Sequence, residues 1–309
     1  MPRPMPPLMT ALLQQRLRAA VAAGERELEC SLDLGRSSTR VEPGVDGWRW
    51  RGHRYPWIEP CRERTVYHYV AGHVQEQSLG DGEGAGEDGV FLPVARYSAA
   101  LVKLVPTEWG PPTFEIDGIK MLPTARVSPW DDAGHKVALV QPRGRRILDT
   151  CGGLGYFAAR ALEAGAAHVQ SYEKSPDVIW LRSLNPWSPD GGDERLVFEC
   201  ADVTTRLAGL QDQSFEAILH DPPRFGIAGE LYSQEFYDSL ARLLVPSGRL
   251  FHYTGLPNRL TSGRDLPREV AARLSRAGFD ARPQGDGVLA VKRATQARRS
   301  ARSRGMSGP

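Results

Sequence analysis

Four short apolar runs from residue 145 onward each end at an acidic residue: RRILD at Asp149, HVQSYE at Glu173, LVFECAD at Asp202 and FEAILHD at Asp221. Segments with helical spacing lie among them, GYFAARALEAG, SPDVIWLRSL and SQEFYDSLARLL. A chain that alternates in this way has few folds open to it. Strands joined by helical crossovers run parallel, and the helices then cover both faces of their sheet. RLFHYT supplies a fifth strand, LPREVAARLSRAG a further helix, and FDARPQGDGVLAVKR two strands joined by a Gly-Asp-Gly turn. The expectation over residues 141–293 is a doubly wound, Rossmann-like α/β sheet whose terminal hairpin places one antiparallel strand at the edge.

The first half is less regular. Residues 1–25 read as an N-terminal segment with a short helix over 11–23, and residues 26–76 as a small β-rich domain. A Gly- and acid-rich flexible loop follows over 77–89, then a connecting and lid region over 90–140. Residues 294–309 are expected to be a disordered basic tail; from Lys292 onward it carries Arg293, Arg298, Arg299, Arg302 and Arg304 and no acidic residue. Total charge announces no polyanion partner, because 39 basic residues face 37 acidic ones. Cys30, Cys61, Cys151 and Cys200 show no CxxC spacing, which argues against zinc and a disulfide framework. No metal is expected. No apolar run approaches the roughly 20 residues a membrane helix needs. The N-terminal apolar stretch stops at Gln14 and Gln15, too short for a signal core, so a cytoplasmic location is expected.

In such a sheet a ligand lies at the carboxyl ends of the strands, where the winding reverses. The first strand ends in Asp149-Thr150-Cys151-Gly152-Gly153-Leu154-Gly155. Gly153-x-Gly155-x-x-Ala158 fits a dinucleotide fingerprint as well as an S-adenosylmethionine site. Glu173, with Lys174 beside it, would hold ribose hydroxyls in either cofactor. Asp202 follows the third strand, where a carboxylate takes the adenine amine while Val203 packs on the ring. With the Asp221-Pro222-Pro223 corner after the fourth strand, these residues favour S-adenosylmethionine. The expected cofactor set is Asp149, Cys151, Gly153, Gly155, Glu173, Lys174, Asp202, Val203 and Asp221.

The segment Asp221-Pro222-Pro223-Arg224-Phe225 resembles the [DN]PP[YFW] motif of methyltransferases acting on exocyclic amino nitrogens. That resemblance implies that Asp221 and the Pro222 carbonyl accept the two N–H bonds of the amine. Arg224 departs from the motif, standing where an aromatic stacks on the flipped base; Phe225, Tyr232 or the Arg224 guanidinium would stack instead. More widely, ILDTCGGLGYFAARALEAGA, NPWS, HDPPRFGIAGELYSQEFY and GRLFHYTG resemble a group of predicted class I S-adenosylmethionine-dependent methyltransferases found mainly in archaea and often labelled spermine- or spermidine-synthase-like. KLVPTEWGPPTFEIDGIKMLPT extends the likeness to roughly residues 97–293. Within that pattern Asn185, Glu230, Tyr232 and His252 are expected near the mouth of the site. Thr107, Glu108 and Pro111 are expected as a lid or wall.

The leading expectation is therefore an S-adenosylmethionine-dependent enzyme that N-methylates an exocyclic amine in RNA, cytidine N4 or adenine N6. The N-terminal β unit would help hold the RNA through Arg49, Arg51 and Arg54 and the aromatics Trp48, Trp50, Tyr55 and Trp57. The same pattern also suits a small hairpin core with a polar outer face. The alternative is an aminopropyltransferase or small-amine methyltransferase, which the synthase-like label implies.

Overall fold

The computed structural model describes residues 5–72, 89–226, 228–255 and 265–294. Most of the expected loop 77–89 and nearly all of the basic tail lie outside them. Helix α1 (Ala11–Ala22) starts where the Thr10 hydroxyl accepts the Leu13 amide, and it turns Leu13 and Leu17 inward. It packs with β1 (Leu8–Met9), β2 (Leu28–Cys30), β3 (Thr39–Gly44), β4 (Gly47–Trp50), β5 (His53–Tyr55), β6 (Tyr67–Val70) and β7 (Val90–Pro93). These strands form two small sheets, β2-β3-β4-β5 and β1-β6-β7. Trp48 and Tyr55, expected to face RNA, are core residues instead: they stack at 4.4 Å and are 1% and 5% exposed. Trp50 and Trp57 stay partly open under Arg51 and Arg18, while Arg49 and Arg54 are exposed.

The region expected to connect and cover holds its own antiparallel sheet. It comprises β8 (Ala95–Tyr97), β9 (Leu101–Val105), β10 (Thr113–Ile116) and β11 (Ile119–Lys120). Helix α2 (Pro129–Leu139) follows, with Ser128 as N-cap, Pro129 at its first position and Asp131 and Asp132 in its first turn.

From residue 146 the alternation is as the pattern requires. The order is β12 (Arg146–Asp149), α3 (Tyr156–Glu163), β13 (His168–Glu173), α4 (Pro176–Ser183), β14 (Leu196–Cys200), the short α5 (Val203–Arg206), β15 (Phe215–His220), α6 (Gln234–Leu243), β16 (Leu244–Tyr253), α7 (Leu266–Arg276), β17 (Phe279–Gln284) and β18 (Gly287–Lys292). The seven strands line up as β14-β13-β12-β15-β16-β18-β17. All pairings are parallel except those of β18, which lies antiparallel between β16 and β17. The antiparallel strand is thus one place in from the edge, and β17 takes the edge itself. The hairpin turn is too tight to let β18 lie anywhere but beside β17, and the free edge of β16 accepts it.

Successive strand residues point to opposite faces, and both faces are buried. Ile147, Ala217, Leu219 and Phe251 join Val137 of α2, Ala158 of α3 and Leu181 of α4 in one core. Leu148, Ile218 and Leu250 join Tyr237 and Leu240 of α6 and Val270 and Leu274 of α7 in the other. Among the described residues, no helix is long and apolar enough to cross a membrane.

Candidate active site

The winding reverses between β12 and β15, so the crevice opens at Asp149 and Asp221. Asp149 is fully buried under the glycine turn. Its Oδ2 accepts the Ser171 hydroxyl at 2.8 Å, while Oδ1 has no partner. Burial pushes its carboxyl up to about 6, against the pull of Ser171 and Arg182. Gly155 has φ 84° and begins α3. A Cβ on it would lie 2.6 Å from Pro189 Cδ and 2.8 Å from Arg182 Cζ. The glycine is demanded by a packed arginine as much as by any ligand. At Gly153, with φ +50°, a Cβ would instead lie in ordinary contact with Phe114, 3.7 Å from its Cε1. The Tyr156 hydroxyl donates to Pro112 O at 2.8 Å, which holds the segment that carries Thr107 and Pro111 against the turn.

Arg182 escaped the sequence reading. It is 8% exposed, with its guanidinium 3.9 Å from the centroid of Phe198. Asp149 and Glu173 act on its charge, and its Nη1 has no partner. The available signal was its place four residues after Val178 on the buried side of α4.

Glu173 braces the turn from the neighbouring strand. Its Oε2 accepts the Gly153 amide at 2.9 Å and its Oε1 the Ser175 amide at 2.8 Å. Asp202 caps α5, accepting the Thr204 amide at 3.0 Å and the Thr204 hydroxyl at 2.7 Å on Oδ1. Its Oδ2 is left facing Lys174 Nζ at 4.0 Å. Val203, expected to pack on adenine, points into the second core instead and is 4% exposed, because the first turn of α5 rotates it inward. Cys151 stays half-buried, and burial with nearby carboxylates raises its thiol, so it is a neutral wall group.

Asp221 is half-buried at the end of β15, and among the described residues no protein donor bonds its side chain. Burial pushes its carboxyl up to about 7, with Lys136 pulling down and Asp132, Asp149 and Asp286 pushing up. The Tyr232 hydroxyl donates to the Pro223 carbonyl at 3.1 Å. Among the described residues the Pro222 carbonyl receives no hydrogen bond. Phe225 meets Tyr232 edge-on at 5.3 Å, whereas Arg224 and Glu230 are exposed. Lys136, Asp132, Asp286 and Tyr253 complete this corner. None of these four stood out in the sequence: Asp132 and Lys136 lay in a stretch read as irregular, and Tyr253 and Asp286 join them only in the folded chain.

Three expected mouth residues prove to be interior: Tyr232, 2% exposed, packs in the second core, and His252 and Asn185 are buried as well. His252 is fully buried, its Nδ1–H donating to Tyr253 O at 2.8 Å and its Nε2 accepting from Tyr237 at 3.0 Å. Burial and His220 hold it well below the usual histidine range, so it is neutral and cannot meet substrate. Asn185 is 3% exposed and donates to the Tyr156 hydroxyl. His220 sits beside His252 at 4.4 Å between rings, with Nε2 donating to Leu231 O and Nδ1 accepting from Thr150.

S-adenosylmethionine fits these residues on three observations: the orphaned Asp149 oxygen, the left-handed Gly153 main chain braced by Glu173, and the Asp202 carboxylate after the third strand, whose Oδ2 meets, among the described residues, only Lys174 at 4.0 Å. Among the described residues no cluster of three or more His, Cys, Asp or Glu side chains could hold a metal ion. A cavity of about 760 Å³ lies elsewhere, at the amino ends of the strands, lined by Arg143, Arg145 and Arg160; it touches none of the crevice carboxylates.

No family model matches the chain. Over 197 residues, 62% of its length, it is 43% identical to an uncharacterised protein of Methanocaldococcus jannaschii, spanning 66% of that protein. It is 31% identical over 142 residues to polyamine aminopropyltransferase 2 of Streptomyces coelicolor, which covers 42% of this chain and 26% of that protein. The chain thus spans just under two thirds of the archaeal relative and about a quarter of the Streptomyces one. A solved spermidine synthase in complex with the transition-state analogue AdoDATO superposes with a TM-score of 0.51 at 16% identity, over 66% of this chain and 75% of that one. The chain has a Rossmann-like α/β fold, shared with that spermidine synthase.

Proposed function

We propose that this chain is an S-adenosylmethionine-dependent methyltransferase acting on an exocyclic amino nitrogen of a base in RNA, cytidine N4 or adenine N6. The observation that carries this reading is the pairing of two free acceptors, the Asp221 carboxylate and the Pro222 carbonyl, at the switch point of the sheet. When bound, the cofactor supplies a sulfonium-activated methyl group. Asp149, Gly153, Glu173 and Asp202 would hold it. An aromatic amine is a weak nucleophile because its lone pair is delocalised into the ring. Asp221 and Pro222 O accept its two N–H bonds, which draws the nitrogen toward tetrahedral geometry and orients its lone pair. Asp221 then takes the proton that the nitrogen sheds on alkylation, a role suited to a carboxyl near neutrality. Tyr232 fixes the corner through Pro223. Exposed Arg49, Arg51 and Arg54, with Trp50 and Trp57, supply a basic and aromatic face for the RNA strand.

Comparing modified nucleosides in total RNA of wild-type and deletion strains by mass spectrometry tests this. Loss of a methylated cytidine or adenosine supports it. RNA that keeps every methylated nucleoside counts against it. A second reading, aminopropyl transfer or methylation of a small amine, is favoured by the carboxylates Asp132 and Asp286 beside Asp221, which suit a cationic amine. Turnover of putrescine would select it.

A further inference from the structure

Lys136 is a cation in a costly place. It stands on α2 with 4% of its surface exposed. Its ammonium meets Asp132 Oδ2 at 2.6 Å and Asp286 Oδ2 at 3.3 Å. It lies 4.0 Å from the centroid of the Tyr253 ring. Its own helix, the end of β16 and the β17–β18 turn therefore converge on one charge. Burying an ammonium costs several kcal/mol before its partners are counted, and an apolar side chain of similar volume is often as stable. Stability alone does not explain why this position is ionic.

The surroundings of Asp221 do. The groups that act on it are carboxylates from three elements, Asp132 on α2, Asp149 on β12 and Asp286 in the hairpin turn, and Lys136 is the one cation among its strongest neighbours. Tyr232, Tyr253 and Cys151 face it as neutral groups, each held protonated by burial and by the charge of Asp221. Lys136 and Asp221 make no direct ion pair within 4 Å, so the carboxylate keeps its oxygens free. We propose that Lys136 is the positioning residue of this site: clamped over Tyr253 by Asp132 and Asp286, its ammonium favours the ionised form of Asp221 and leaves it open as the acceptor of the substrate N–H. The inference rests on Asp221 being that acceptor. It adds that the acceptor's charge is set from a helix that precedes the first strand of the sheet and from the turn before β18.

The test titrates Asp221 itself. In full-length protein carrying 13C-labelled aspartate, the Asp221 carboxyl signal is assigned by its loss in Asp221→Asn and followed against pH. Lys136→Met should raise the Asp221 midpoint by about one pH unit or more, a tenfold or larger gain in proton affinity. Lys136→Arg, which keeps the charge, should leave it near the wild-type value. Asp286→Asn should lower it, since it removes a like charge and releases Lys136 toward Asp221. An unmoved midpoint in folded Lys136→Met overturns the proposal. Should that variant not fold, Asp286→Asn decides, and a midpoint that stays or rises overturns it. The titration needs no substrate, so it remains readable if no variant transfers a methyl group. Where transfer is measured, the acidic limb of the rate profile should move with the Asp221 midpoint in every variant.

Discussion

The Tyr232 hydroxyl hangs on the carbonyl of Pro223 at 3.1 Å, one residue beyond the carbonyl that is left free. This bond sets the direction of the whole Asp-Pro-Pro corner, because two prolines in sequence give the backbone no N–H groups with which to anchor itself. Tyr232→Phe keeps the ring against Phe225 and removes only the donor. It should cost about 1 kcal/mol in urea unfolding. It should lower kcat more than it raises KM, since the corner is misdirected while the cofactor groups stay in place. A variant with unchanged kcat would mean that the corner holds its shape without Tyr232.

Activity should follow the ionisation of Asp221. Its carboxyl titrates at about 7, and only the ionised form accepts N–H. Methyl transfer should therefore rise with pH through about 7 and fall away on the acid side. Asp221→Asn should lose that acidic limb and at least about 100-fold in rate, with cofactor affinity by calorimetry retained. A rate profile that is flat between pH 5 and 8 would contradict this assignment.

Gly155 and Gly24 both have positive φ, 84° and 73°, but only one is crowded. A side chain at Gly24 meets nothing within 4 Å, whereas one at Gly155 meets Pro189 and Arg182 below 3 Å. Gly24→Ala should cost about 1 kcal/mol from backbone strain alone. Gly155→Ala should cost more than twice as much and abolish cofactor binding, as thermal melts and calorimetry will show.

Burial holds His220 down at about 3, against an ordinary value of 6.5. Between those values the unfolded chain binds a proton that the folded chain refuses. The contribution of His220 is therefore full above about pH 6.5 and is lost as the pH falls toward 3. His220→Asn removes this dependence. Its unfolding free energy should fall by about 2 kcal/mol less than that of wild type between pH 7 and 4.5, from urea titrations at each pH. The raised carboxyls Asp149 and Asp221 act in the opposite direction, but equally in both proteins.

The main sheet was legible because four acid-ended apolar runs leave little freedom in how they pair. The placing of β18 was not, since a hairpin motif says which strands are neighbours and not what lies on the far side. Asp221, Glu173 and Asp202 were legible as strand-end carboxylates, and the structure brings them to one edge. Val203 and His252 were misplaced, because one residue of rotation decides between core and crevice. Lys136 and Asp286 meet only in three dimensions. A hint did exist in Ser128-Pro129 followed by Asp132 and Lys136, a capped helix start with an i, i+4 ion pair. Trp48 and Tyr55 show the limit of composition, since alternating aromatics and arginines describe a miniature core as well as a binding face.

Because β18 slots between β16 and β17, the sheet beyond β16 is closed by the last of its seven strands to be synthesised. A nascent chain that has emerged only as far as α7 already carries Asp149, Glu173 and Asp221, yet it lacks Asp286 and has a raw edge on β16. Until that strand arrives, Lys136 has one clamp instead of two. The order of translation thus withholds the finished electrostatic setting of the crevice until the sheet can close.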